Sequence, residues 1–88
     1  MKLTIKSLEN CFEKAKKNPT ANYIGVKISM KGFEKPEIII NSKENFDAKL
    51  EYYKNAYDEE LNHKHADGIK IIGFTYGEFF EDIENDLI

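Results

Sequence analysis

His63-Lys64-His65, with Glu59, Glu60 and Asp67 close by, is the densest group of metal-ligating types in this 88-residue chain. On a helix, residues two apart point about 200° from one another, so His63 and His65 cannot share an ion there. Glu59 and His63, at i and i+4, can face the same way, but two ligands from one turn do not close a site. The group reads as a polar exit loop. Cys11 is the single cysteine, and a nucleophilic role needs a base beside it, whereas both histidines lie more than fifty positions on. Its place on an apolar helical stripe reads it as a small buried hydrophobe. Glu59–Glu60 and Glu81–Asp82 diverge on a helix, and no apolar pocket near them raises a carboxyl pKa. Gly68, Gly73 and Gly77 do not form the G-x-G-x-x-G turn that cradles a phosphate. No catalytic residue, metal or cofactor is therefore expected, and the chain is expected not to be an enzyme.

All 13 basic residues are lysine, against 16 acids, for a net charge of −3. Arginine supplies the bidentate contacts to guanine and phosphate, and its absence argues against sequence-specific DNA reading. The asparagine-, isoleucine- and lysine-rich composition also fits an A/T-rich coding genome. The charge is unevenly spread. Residues 1–17 carry five lysines against two glutamates, whereas residues 77–88 carry Glu78, Glu81, Asp82, Glu84 and Asp86 with no base. Glu84 and Asp86 fall near the end of an expected helix, where acid opposes the helix dipole. A local conflict without structural benefit is where function is worth seeking. Glu81, Glu84 and Asp86 are thus candidate contacts for a basic partner.

The elements that must position these groups follow from periodicity. Thr4 to Lys17 repeats Ile5, Leu8, Phe12 and Ala15 at helical spacing, and Asn18-Pro19 stops it. Ala21 to Met30 alternates as a half-buried strand, a Gly/Pro turn follows, and Glu37 to Ile40 is a short β-branched strand. Asn41 with Glu44 reads as a capping box for a second helix reaching about His63, with Phe46, Leu50, Tyr53, Tyr57 and Leu61 within an arc of about 80°. Ile69 to Phe74 is the third strand. Thr75-x-x-Glu78, stapled by Phe74 and Phe79, opens a last helix with Phe79, Phe80, Ile83 and Leu87 on one side. The order α-β-β-α-β-α gives an α+β domain spanning 1–88: a three-stranded antiparallel sheet, order 2-1-3, with helices packed on one face.

Tyr52 lies about 120° from Phe46 on the helical wheel, off the apolar stripe. Phe33, at the hairpin tip, lies off any stripe too. Both are candidate partner anchors. No apolar run approaches the roughly 18 residues of a membrane span, and the first ten residues interrupt their apolar positions with charge, unlike a secretory signal. One unpaired cysteine fits a reducing cytoplasm.

Tyr23-Ile24-Gly25-Val26-Lys27, Pro36-Glu37-Ile38-Ile39-Ile40-Asn41, Glu44-Asn45-Phe46-Asp47 and Gly73-Phe74-Thr75-Tyr76-Gly77, in that order, resemble small uncharacterised proteins of phages and prophages of low-G+C Gram-positive bacteria. In size and element order alone the chain also looks like some anti-CRISPR proteins. The resemblance implies a compact accessory protein that binds and blocks a host or defence protein. The expected function is a non-enzymatic protein-binding module whose partner is a host protein, such as a basic nucleic-acid-binding one. The alternative is a nucleic-acid-binding accessory protein using the lysines of the first helix.

Overall fold

Thr4 starts the first helix by exchanging bonds with Ser7. The Thr4 hydroxyl accepts the Ser7 backbone N–H at 3.2 Å, and Ser7 Oγ accepts the Thr4 N–H at 2.8 Å. These bonds satisfy donors that a helix start otherwise leaves open. The computed structural model describes residues 2–88. Helix α1 spans Ile5–Lys17, strand β1 Tyr23–Met30 and strand β2 Glu37–Ser42. A 3₁₀ turn at Lys43–Asn45 leads into helix α2, Phe46–Ala56; strand β3 is Ile69–Gly77 and helix α3 is Phe80–Leu87.

The fold is α+β, with an antiparallel sheet in the order β2-β1-β3. Ile24, Val26 and Ile28 alternate along β1 onto one face, where α1 and α2 bury Leu8, Phe12, Ala15, Phe46 and Tyr53 against them. Phe12 is the hinge of this core. Its ring meets Phe46 edge-on at 5.8 Å and Tyr53 at 6.3 Å, geometries that favour the aromatic quadrupole.

Helix α3 departs from the expected single-face packing. Gly25 lies between Ile24 and Val26 and so faces the opposite side of the sheet, and a Cβ built there would lie 2.2 Å from Ile83 Cγ2. Ile83 and Leu87 are both buried, and they sit over Gly25, Gly73 and Gly77. Three strand glycines thus make a flat seat, and a helix with only two apolar residues to bury can approach closely enough to hold.

Three boundaries also differ from the sequence reading. Asn41 pairs with Ile24 as part of β2, so it does not cap α2; the α2 N-cap, Asn45, makes no side-chain cap bond. Helix α2 stops at Ala56, yet Tyr57 and Leu61 remain buried. Asp58 Oδ1 accepts the backbone N–H groups of Glu60 and Asn62, each at 3.0 Å, and folds the chain back. Leu61 takes a left-handed φ of 67° in this turn and still reaches the core. Finally, Thr75 pairs with Gly25 inside β3, so strand pairing replaces the expected capping box and α3 begins at Phe80, four residues after the expected start at Tyr76.

Candidate functional site

Asn22 fixes the entry to the acidic segment. Its backbone N–H donates to the Gly77 carbonyl at 3.0 Å, and its side-chain amide donates to the Glu78 carbonyl at 3.1 Å. The chain then turns through Phe79, whose backbone is extended, into α3. Because Phe79 precedes the helix, it does not share the face of Ile83 and Leu87 and is 57% exposed. Phe80, at the rim of that face, packs edge-on against Tyr23 at 5.9 Å and is still 49% exposed.

Around these two rings stand Glu78, Glu81, Asp82, Glu84 and Asp86, all exposed. None forms an ion pair among the described residues, where the acids of the three salt bridges are Glu60, Asp47 and Glu9. Glu81 and Asp82 occupy the first turn of α3, where the dipole favours acid; Glu84 and Asp86 lie towards its other end, and no base occupies the last turn. The result is a surface of uncompensated negative charge with two aromatic side chains at one end. In general, exposed aromatic side chains can serve as interface anchors, and a negative field attracts positive charge.

The structure gathers Glu81, Glu84 and Asp86 on one helix and leaves Tyr52 and Phe33 elsewhere. Tyr52, 49% exposed, lies on α2 across the sheet and packs against Tyr53 with its ring centroid 5.4 Å away; Lys49 Nζ sits 4.9 Å over its ring. Phe33, 63% exposed, follows the far end of β1. That strand separates the Tyr23 and Met30 ends by about 23 Å, at about 3.3 Å per residue. Phe79 and Phe80 are the functional candidates that the sequence placed in the core. The misplaced helix start put them on the buried stripe.

The other reactive groups are quiet. Cys11 is half-buried in a shallow depression lined by Ser7, Asn10, Lys14, Phe74, Thr75 and Tyr76. Burial pushes its thiol up to about 11, so it stays protonated near neutral pH. His63 lies edge-on to Tyr57 at 5.1 Å, and its Nδ1 accepts the His65 backbone N–H at 3.1 Å. Among the described residues, no group of three or more His, Cys, Asp or Glu side chains could hold a metal.

The lysines of the amino-terminal region are partly matched by acids. Lys2 Nζ meets Glu60 Oε1 at 2.8 Å, and Lys16 Nζ meets Asp47 Oδ1 at 2.6 Å. The Lys2–Glu60 hydrogen bond holds the lysine above its ordinary pKa and the glutamate below its own. No described helix is long and apolar enough to cross a membrane. Neither a protein-family model, nor a curated protein, nor a solved structure matches this chain.

Proposed function

We propose that this chain is a non-enzymatic protein-binding module that docks a basic partner through α3. The observation that carries the reading is the pairing of exposed Phe79 and Phe80 with five carboxylates, on and beside one short helix, that form no ion pair among the described residues. The aromatic rings supply apolar contact at little entropic cost, and the carboxylates steer a positive surface towards them. A nucleic-acid-binding protein is a natural partner of this kind, since its own surface is basic and arranged for phosphates. Acid on α3 stands in for those phosphates. The resemblance to small phage and prophage proteins supports a role as a modulator or inhibitor of a host or defence protein, acting in the cytoplasm.

Capture experiments with matched variants test the reading. The wild-type chain and Glu81→Lys/Glu84→Lys are immobilised side by side and exposed to extract of the native host at low and high salt. Proteins held by the wild type and lost from the double variant, and lost from the wild type as salt rises, support the proposal. An identical set of proteins on both chains defeats it and leaves the acids as a solubility feature.

A further inference from the structure

The two edges of the sheet are treated differently. On β3, the outer edge is already occupied where the strand begins: His63 N–H donates to the Ile69 carbonyl at 2.9 Å, and Ile71 N–H donates to the Leu61 carbonyl at 3.0 Å. A register shift opposite Lys27–Ile28 further disturbs that strand. The outer edge of β2 has neither protection. Its pairing with β1 is regular from Glu37 to Ser42, and no backbone bond from another element reaches its outer side among the described residues. Within Ile38 to Ser42 there is no charge, proline or glycine. Natural edge strands carry such features to prevent pairing, and beyond Glu37 this strand lacks them.

The outward-facing groups can be identified. Lys43 N–H donates inward to the Asn22 carbonyl at 2.9 Å. Hydrogen-bonded pairs alternate along an antiparallel ladder, so Asn41, Ile39 and Glu37 also bond inward. The N–H and C=O groups of Ile38, Ile40 and Ser42 therefore point outward, unpaired.

We propose that a second copy of this chain pairs along this edge, antiparallel, with Ile40 on the two-fold axis. A symmetric antiparallel pairing places a residue opposite itself at the axis, because the same patch serves on both sides. With Ile40 central, Ile38 lies opposite Ser42 of the second copy, and all the outward groups of the strand find partners. In the same register Glu37 lies opposite Lys43 of the second copy, twice by symmetry. Both side chains stand on the α1 and α2 side of the sheet, as the Lys43 Nζ bond to the Asn18 carbonyl at 2.8 Å shows for one of them. Centring the axis on Ile38 instead would bring Pro36, which has no N–H, opposite Ile40 and leave the outward Ile40 carbonyl without a donor. Charge and backbone complementarity thus select the Ile40 register and a second copy as the occupant. The product is a six-stranded sheet with both α3 helices on the same face. Its two β1 strands lie about 14 Å apart at about 4.8 Å per strand, and each α3 is displaced towards its own β3. The two acidic surfaces are then separated by more than the screening length of about 8 Å at physiological salt.

Sedimentation across a concentration series tests this directly. The wild-type chain is expected to pass from monomer to dimer as concentration rises. Glu37→Lys sets like charges opposite one another at two symmetric positions and should weaken the dimer by about tenfold. Glu37→Lys with Lys43→Glu should recover it. Ile40→Pro removes an outward donor while sparing the inward ladder, and should give a monomer with an unchanged circular dichroism spectrum. A wild-type chain that stays monomeric throughout, a dimer indifferent to Glu37→Lys, or a charge swap that fails to recover association overturns the proposal.

Discussion

Replacing Gly25 by alanine adds one carbon to the face of β1 that seats α3. That carbon would lie 2.2 Å from Ile83 Cγ2, closer than real Cβ atoms approach another atom, and 3.1 Å from Leu87 Cδ1, a tight contact. Helix α3 must then lift by more than 1 Å or so, or Ile83 must leave its rotamer, and overpacking of this kind costs about 1 to 3 kcal/mol. Alanine offsets about 0.4 to 1 kcal/mol of this by restricting the unfolded chain. A net loss of about 1 to 2 kcal/mol lowers the melting temperature of a domain this size by roughly 5 to 15 °C. Two buried side chains hold α3, each contributing about 1.5 to 3 kcal/mol, so local undocking competes with global strain. Gly73 provides the matched control, because a Cβ there meets Leu87 Cδ2 at 3.5 Å, an ordinary contact. The assay is thermal unfolding of Gly25→Ala and Gly73→Ala, with hydrogen exchange at the α3 amides. Gly25→Ala should melt lower and lose α3 protection, and Gly73→Ala should stay close to wild type. Equal melting temperatures and equal α3 protection in the two variants would refute the glycine-seat argument.

Three further outcomes follow from the packing. Phe12→Ala should cost about 3 to 5 kcal/mol, and Leu50→Ala clearly less because Leu50 is only half-buried; denaturant titration of both gives the order. Cys11 should label slowly with a thiol reagent near neutral pH and faster as pH rises towards the raised value of about 11. The folded chain holds that proton more tightly than the unfolded one, so stability should fall with rising pH above the ordinary thiol range. Rapid labelling at neutral pH would contradict the burial. Asp58→Ala removes the acceptor of two backbone bonds and should cost about 1 to 2 kcal/mol, with faster hydrogen exchange at Glu60 and Asn62.

The architecture was legible where periodicity and tertiary packing agree. The alternation of Ile24, Val26 and Ile28 marks β1 as a strand with one buried face, and the order of elements leads to β1 as the central strand. The reading failed where a local signal lost to a distant partner. Thr75 and Glu78 match a capping box, but Gly25 pairs with Thr75 across the sheet and keeps the strand going. Tyr57 and Leu61 keep helical spacing from Phe46, and both are buried, yet the Asp58 turn brings them inward without a helix. The side chosen by α3 had a signal that went unused. Gly25, Gly73 and Gly77 recur at strand positions, and strand glycines mark a close approach by another element. The carboxylates of the candidate surface could be read from charge alone. The exposure of Phe79 and Phe80 could not, because it depends on a helix start that strand pairing sets.

Site-directed photo-crosslinking from position 79 tests the central claim most directly. A photoreactive phenylalanine analogue in place of exposed Phe79, introduced in the native host, samples whatever lies against the amino-terminal end of α3. The account predicts a discrete adduct with a basic protein, lost when Glu81→Lys/Glu84→Lys is combined with the probe and not formed from the exposed α1 position Lys17. The same adducts from both positions, or an adduct at position 79 indifferent to the charge reversal, would contradict it.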